Sequence, residues 1–529
     1  MDENGYWRDM VSLSWTFRNF HTKSTIVERI PPLLARASIT DIKPIDEAHV
    51  RHLPIGATVL RVTVPFNTSN PEASCLAVFK FVRRLDGEIK LFTVTTQLTE
   101  IGVAPWLDCR NKRPVSKELP EEVDILVIGG GHGGLSIGAY LSALGMNFAI
   151  LDREKETGDS WARRYDSAVL HTIRVFSGLP FRPFPDHFPQ WVGAKQLASW
   201  YTEYAKDLNL PIYQDTIGEK AVFDEEKKIW TVQTSKGIVK AKLLCFAVGV
   251  FGRWPNLPNF EGMDRFKGLQ LHSSRYTNPG AWKGKKVVVI GSSTTGLDVA
   301  HDCSLLGIDV TVVQRGATRI YAPGHIEEFQ AAFYNEESPA VRGDQLTSED
   351  PVALQAHLAS HVMAGQTKAY DPAYYEGLKK AGFLGIYEGA IQEQVLVMGG
   401  RHYPDIGAGW AICRGEIKIK SNSPIANLDE TGINFQDGTH LDADVIVFAT
   451  GFTKDTRGAI SDIIGDDYKL EGVWGLDKEG EIRGVFRPTG HDYIWQMGGE
   501  LYAMRMYGKY LAMQLAAFLA GVRPEPVRT

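Results

Sequence analysis

Twice in this chain an apolar run enters a glycine-rich turn that opens a helix, a pattern that strongly favours a parallel α/β sheet. Val123-Asp124-Ile125-Leu126-Val127-Ile128 runs into Gly129-Gly130-Gly131-His132-Gly133-Gly134, and Lys286-Val287-Val288-Val289-Ile290 runs into Gly291-Ser292-Ser293-Thr294-Thr295-Gly296. A continuous apolar run suits a strand buried on both faces. The turn lets backbone N–H groups meet a pyrophosphate at the positive end of the helix. One such turn is weak evidence. Two in one chain predict two dinucleotides, an electron donor and the acceptor that uses it.

The residues beyond each turn separate the two sites. After the first, a helix over Leu135–Leu144 and a strand over Asn147–Leu151 lead to Asp152 and Arg153. A carboxylate there takes both ribose hydroxyls of an adenine nucleotide and disfavours a 2′-phosphate, so this site fits FAD. The matching strand of the second unit, Val310–Val313, ends in Gln314-Arg315 with no carboxylate. A guanidinium suits phosphate oxygens, which points to NADPH. Ser292 is read as standing for the middle glycine of the second turn, leaving less room for the pyrophosphate.

Bulk properties exclude other classes. The 529 residues predict roughly three domains. A net charge of −6 gives no reason to expect nucleic acid or an anionic membrane as partner. The five cysteines, Cys75, Cys109, Cys245, Cys303 and Cys413, are scattered without C-x-x-C spacing. That predicts reduced thiols in a cytoplasmic protein and removes a structural zinc or a vicinal redox disulfide. No metal site is expected. The acidic start Met1-Asp2-Glu3-Asn4 is not a signal peptide. No apolar run reaches the length of a membrane span, and Tyr510–Ala520, interrupted by Gln514, reads as a helix packed on a core.

Residues 1–110 differ in pattern from the rest. Tyr6–Leu34 has helical periodicity, followed by alternating segments at Thr58–Phe66, Ser74–Val82 and Glu88–Leu98. Leu85-Asp86-Gly87 joins the last two with a hairpin signal. A helix followed by a curved antiparallel sheet resembles the SnoaL-like cone fold, with packing or dimerisation as its role. Residues 111–122, with Pro114 and Pro120, read as a linker. The expected layout is then an FAD-binding unit over 123–280, an NADPH-binding unit with a helical excursion over 281–420, and a return to the FAD unit over 421–529. The predicted fold class is α/β, two nested Rossmann-type domains preceded by a small α+β domain.

Four ordered signals identify a family resemblance: the first glycine turn, Phe266-Lys267-Gly268-Leu269-Gln270-Leu271-His272-Ser273-Ser274-Arg275-Tyr276, the second glycine turn, and Phe448-Ala449-Thr450-Gly451. Together they resemble the class B flavin-dependent monooxygenases, the flavin-containing monooxygenase and YUCCA-like group, over about residues 120–520. Smaller matches are Gly158-Asp159-Ser160-Trp161, with Asp159 in place of a glycine, and Leu170-His171-Thr172. The resemblance implies Gly129, Gly131, His132, Gly134, Asp152, Arg153, Trp161, His171 and Thr172 around FAD. It implies Gly291, Ser292, Ser293, Thr294, Thr295, Gly296 and Arg315 around NADPH, with Ala449, Thr450 and Gly451 as further cofactor-binding residues in the return. Baeyer–Villiger relatives usually carry Trp where Tyr276 stands. Where animal-type members carry Asn after the Leu-x-Thr element, this chain has Ile173-Arg174, which makes Arg174 the candidate replacement near the reacting oxygen.

The implied activity is NADPH- and O₂-dependent insertion of one oxygen atom into a small, apolar metabolite through a C4a-(hydro)peroxyflavin, with FAD carrying the hard chemistry. His272 is a catalytic candidate by its place in the identifying motif, and is better read as shaping the linker between the nucleotide units than as an acid or base. His272→Ala is then expected to slow NADPH-dependent flavin reduction, and normal reduction kinetics would remove the idea. Trp495 and Tyr502 are candidates for the substrate pocket. The alternatives are a Baeyer–Villiger enzyme acting on a ketone and a catalytically silent flavoprotein scaffold in which Ser292 blocks NADPH. The partners expected are a small molecule and O₂, with the N-terminal unit as the route to a homodimer.

Overall fold

Three large sheets carry the architecture of the computed structural model, which describes residues 1–52, 57–84, 86–108, 115–249, 254–335, 340–387, 400–453 and 457–526, without the side chains of 361–368. Cys109, Pro114, Leu85 and part of the expected linker fall outside the described residues.

The N-terminal sheet runs in the order Phe17–His21, Tyr6–Met10, Ile89–Ile101, Glu72–Arg83, Thr58–Ser69, Ile39–Ile42, with Glu47–His52 also pairing Thr58–Ser69. Its three long strands fall where the alternation predicts them. Bulges at Ser74/Cys75 and Lys80/Phe81 interrupt the pairing of Glu72–Arg83 with Ile89–Ile101 and bend it. The helix expected over Tyr6–Leu34 is instead two strands and a shorter helix, Lys23–Ala37. The cause is Asp9. Its carboxylate accepts from Leu13 N (3.1 Å), Ser14 N (2.7 Å) and the Ser12 and Ser14 hydroxyls (both 2.5 Å). That shell ties a tight loop in which Val11 and Trp15 adopt positive φ, so apolar residues at helical spacing sit on either side of a hairpin.

The first nucleotide sheet is ordered Ile212–Tyr213, Phe148–Leu151, Glu122–Ile128, Gly237–Phe246, Ile229–Thr234, Gly218–Asp224, with Ile494–Gln496 parallel to Gly237–Phe246. The second is entirely parallel, in the order Leu269–His272, Val445–Phe448, Lys286–Ile290, Asp309–Gln314, Ile417–Ser421. Two boundaries therefore move. Leu269–His272, expected in the FAD unit, and Val445–Phe448, expected in the return, are both strands of the second sheet. The chain re-enters the first sheet only at Ile494–Gln496.

The C-terminal helix Leu501–Leu519 is buried on nearly every face, as a helix apolar all round must be. It packs against helix His132–Ala143 on one side and the N-terminal sheet on the other, where Phe17 meets Tyr507 and Tyr510 edge-on at 5.5 and 5.6 Å. No helix among the described residues is long and apolar enough to cross a membrane. Polar clamps reinforce the apolar contact. Arg8, fully buried, forms a two-pronged pair with Glu481 (2.7 and 2.9 Å) and donates to the carbonyls of Ser348 and Asp350. Arg61 pairs with Glu349, and Lys80 with Asp350 (2.9 Å). The N-terminal unit thus holds both the C-terminal return and the helical excursion, which runs through His325–Ala331, Ala340–Ser348, Val352–Tyr370 and Pro372–Lys380.

Candidate functional site

Gly129, Gly130 and Gly134 of the first turn each answer a separate steric demand. Gly129 has φ of 110°, and a Cβ there would lie 2.6 Å from the Ala247 carbonyl oxygen. A Cβ on Gly134 would sit 1.9 Å from the Gly129 oxygen, so helix and strand pack only without it. A Cβ on Gly131, the residue that caps helix His132–Ala143, would meet nothing within 4 Å. That open approach leaves room for a pyrophosphate at the helix N-terminus. Gly130 must be bare for a different reason: its Cβ would fall 2.5 Å from Asp152 Oδ2, so the acid at the strand end lies directly against the turn. Burial pushes the Asp152 carboxyl up, opposed by N–H donation from Glu154 (3.3 Å). Arg153 is turned away to Glu154 at 3.5 Å. His132 Nε2 bonds the Gly499 carbonyl oxygen (2.9 Å), and burial holds its imidazole neutral-leaning, so the C-terminal segment is latched over the first turn.

The second turn repeats this construction. A Cβ at Gly291 would lie 2.4 Å from the Ala449 oxygen, and one at Gly296 2.0 Å from the Gly291 oxygen. The residue that caps helix Thr294–Leu305, as Gly131 caps its own helix, is Ser293. Ser292 is therefore not the middle position. Its hydroxyl is buried against Thr318 Oγ1 at 2.8 Å, away from any pyrophosphate, so the narrowing expected from Ser292 does not arise there. Ser293 and Thr294 both direct hydroxyls to the His402 carbonyl oxygen (3.3 and 3.0 Å). Arg315 is exposed at the strand end, while the neighbouring Gln314 is buried and bonded both ways to the Leu384 backbone.

The identifying motif and the Ala-Thr-Gly turn meet in space. His272 Nδ1 accepts from Ser274 N (3.1 Å), which leaves Nε2 to donate to the Gly451 oxygen (3.1 Å). Burial lowers its basicity, which suits a neutral clasp rather than a shuttling acid. Thr450 Oγ1 donates to the Asn256 oxygen, and Ala449 abuts Gly291.

A cavity of about 1780 Å³ joins the two units, exceeding the ~300–1,000 Å³ of a typical small-ligand site. Trp161, His171 and Thr172 line it from the first unit, and Ser293, Thr294 and Thr295 from the second. His171 Nδ1 donates to the Pro404 oxygen (2.9 Å) and its Nε2 lies 3.5 Å from Asp298. Thr172 Oγ1 is bonded to Ser177 (2.6 Å). Arg174 departs from expectation: it is not in this wall, and its guanidinium engages the Pro185 oxygen and Asp186 instead. Tyr502 lines the cavity, whereas Trp495 is buried in the core with Nε1 on the Asp492 oxygen.

Three cavity or turn residues were missed by reading motifs. Glu500, at the head of the C-terminal helix, faces the cavity, and burial pushes its carboxyl up to about 7. No sequence pattern marks it. His402 is held down to about 4 by burial. Ala247 does at Gly129 what Ala449 does at Gly291, and here a signal existed: Phe246-Ala247-Val248-Gly249 repeats Phe448-Ala449-Thr450-Gly451 at the end of the matching strand. Cys245 and Cys303 lie apart on strand Gly237–Phe246 and helix Thr294–Leu305, both buried with thiols pushed up to about 12, and form no redox pair.

Residues 126–323 match the family model described as pyridine nucleotide-disulphide oxidoreductase. The chain is 27% identical over 351 residues to the indole-3-pyruvate monooxygenase YUCCA1 of Oryza sativa subsp. japonica, covering 66% of this chain and 81% of that protein. It is 36% identical over 185 residues to an uncharacterised CzcO-like oxidoreductase of Geobacillus kaustophilus, covering 34% and 51%. Among solved structures, a flavin-containing monooxygenase from Stenotrophomonas maltophilia superposes with a TM-score of 0.52 at 19% identity, covering 76% of this chain and all of that one. A steroid monooxygenase bound to NADP gives 0.54 at 22%, covering 76% and 86%. The structural likenesses carry the two-domain fold.

Proposed function

We propose that this chain, which belongs to the class B flavin-dependent monooxygenases, uses NADPH and O₂ to insert one oxygen atom into a small metabolite with an apolar body. The observation that supports this most directly is the single cavity touching Trp161, His171 and Thr172 on one side and Ser293–Thr295 on the other. A donor and an acceptor held at the two turns would meet there.

The residues fit both groups. Gly129, Gly131 and Gly134 would admit the FAD pyrophosphate and Asp152 its ribose, with Trp161, His171 and Thr172 along the ring. Ser293, Thr294, Thr295 and Gly296 would take the NADPH pyrophosphate, and Arg315, exposed at the strand end, its 2′-phosphate. Bound FAD supplies hydride acceptance and oxygen activation, chemistry that belongs to the cofactor. The chain's part is placement and exclusion of water, which suppresses side reactions in a closed site. His272 clasps the end of strand Leu269–His272 to Gly451 beyond the adjacent strand, so its role is to hold these two ends of the second sheet together. Glu500, poised near neutrality, can hold or release a proton at its carboxyl oxygens inside the cavity.

The test is the flavin's visible absorption band in purified protein under anaerobic NADPH, followed by readmission of air. Bleaching by NADPH and oxygen-dependent recovery are expected, with a substrate screen and product analysis to follow. A flavin that NADPH never bleaches would overturn the proposal and favour a silent flavoprotein. Product analysis with ketones distinguishes Baeyer–Villiger chemistry from heteroatom oxidation.

A further inference from the structure

The cavity has a third wall, and it comes from the N-terminal sheet. Arg51, Val59, Val82, Arg84, Lys90 and Phe92 line the same space as Trp161, Thr172 and Thr294. The strand Glu47–His52 and its neighbours thus reach the reaction cavity rather than only covering the body of the molecule.

Charge on that wall is unequally spent. Arg61, Lys80 and Arg342 also approach the cavity, but each is matched: Arg61 to Glu349 and Glu47, Lys80 to Glu349 and Asp350, Arg342 to Glu47. Among the described residues Arg84 has only Asp2, at 3.8 Å, and Lys90 only Glu88, at 3.2 Å; the Arg84 side chain is exposed and that of Lys90 half-buried. Arg51 has no carboxylate within ion-pair distance among the described residues. Its guanidinium lies 4.8 Å from the centroid of the Phe333 ring, a cation over an aromatic face. A contact with the ring uses no N–H donor, so the guanidinium keeps donors for a two-pronged bond to a carboxylate or similar anion. Next to these cations the wall is apolar, with Val59, Val82 and Phe92.

We propose that the N-terminal sheet is the specificity wall of this enzyme, and that Arg51 reads an anionic group on a substrate with an apolar body. This rests on the cavity being where substrate meets flavin. An anion at Arg51 could also be a phosphate of the dinucleotide, so the two sources must be separated.

The experiment uses the full-length flavin-loaded protein and three probes: 8-anilinonaphthalene-1-sulfonate, its neutral analogue N-phenyl-1-naphthylamine, and NADP⁺. Arg51→Glu and the milder Arg51→Gln sit on an exposed edge strand, and the neutral probe reports whether the cavity is intact in each. Losing a charge-assisted pair is expected to weaken the sulfonate about tenfold in Arg51→Gln, and further in Arg51→Glu, with the neutral probe unchanged. Equal sulfonate affinity in wild type and both variants overturns the proposal. Weakening of NADP⁺ in step with the sulfonate also overturns it, by assigning the cations to the dinucleotide. Flavin bleaching by NADPH is followed separately. Its absence in wild type would sink the enzyme reading while leaving the probe result to decide whether the wall binds anions.

Discussion

Replacing Arg8 with Met tests whether the N-terminal unit is a structural part of the enzyme or an appendage. The guanidinium is completely buried and spans residues far apart in sequence: Glu481 at 2.7 and 2.9 Å, the Ser348 and Asp350 oxygens at 2.6 and 3.0 Å, and the Tyr507 hydroxyl at 3.1 Å. Methionine fills much of the volume but leaves the Glu481 carboxylate buried and uncompensated, which costs about 3–5 kcal/mol. The double variant Arg8→Met/Glu481→Met removes that charge and should recover about 2 kcal/mol, the remainder reflecting two carbonyls left without a donor. Urea unfolding of the flavin-loaded protein, followed by tryptophan fluorescence, measures both. A single variant within about 1 kcal/mol of wild type, or a double variant no more stable than the single, refutes the argument.

Glu500 gives a pH prediction. Its carboxyl is raised from 4.5 to about 7 in the folded protein, so between those values the unfolded chain gives up its proton first and stability falls as pH rises, the full cost remaining above 7. Glu500→Gln should therefore gain about 1–2 kcal/mol over wild type at pH 8 and little at pH 4.5, a figure reduced from the full shift because the group faces a cavity. Parallel stability–pH curves for the two proteins would contradict this. Gly296→Ala places a methyl 2.0 Å from the Gly291 oxygen, so NADP⁺ affinity measured by calorimetry should drop at least about tenfold while flavin content is retained; unchanged affinity would mean that the turn does not hold the nucleotide. Ser293→Gly restores the open approach seen at Gly131 and should tighten NADP⁺ by up to about tenfold, whereas Ser292→Gly should not, because that hydroxyl faces Thr318. If Ser292→Gly is the tightening variant, the cap assignment is wrong.

What could be read from the chain follows from how local the determining interaction is. The strands entering Gly129 and Gly291 were legible because apolar runs and glycine turns act over a few residues. So were the three long N-terminal strands, Thr58–Ser69, Glu72–Arg83 and Ile89–Ile101. The misplaced helix at Tyr6–Leu34 failed for a definite reason: the spacing of Trp7, Met10 and Leu13 fits a helix, but Asp9 satisfies the turn's backbone donors and outweighs periodicity. The role expected of Ser292 belongs to Ser293, because the residue that meets the pyrophosphate is the one that caps the helix.

The remaining parts of the site were illegible because they depend on contacts that no window of sequence contains. Arg8 and Glu481 are 473 residues apart, and Arg61 and Glu349 are 288 apart. Neither pair announces itself by spacing, yet together they press the N-terminal sheet onto the excursion and the C-terminal helix. That placement is what makes Arg51, exposed on an edge strand, part of a cavity wall whose other side carries the half-buried Glu500. The nucleotide turns are common property of a fold that hosts many chemistries. The features particular to this chain are therefore sought where its extra unit meets the shared cavity. A variant that loosens the Arg8 clamp should shift the affinity of Arg51 for the sulfonate probe without touching Arg51 itself. Affinity that is indifferent to Arg8→Met in still-folded protein would show that the wall is set by the strands alone.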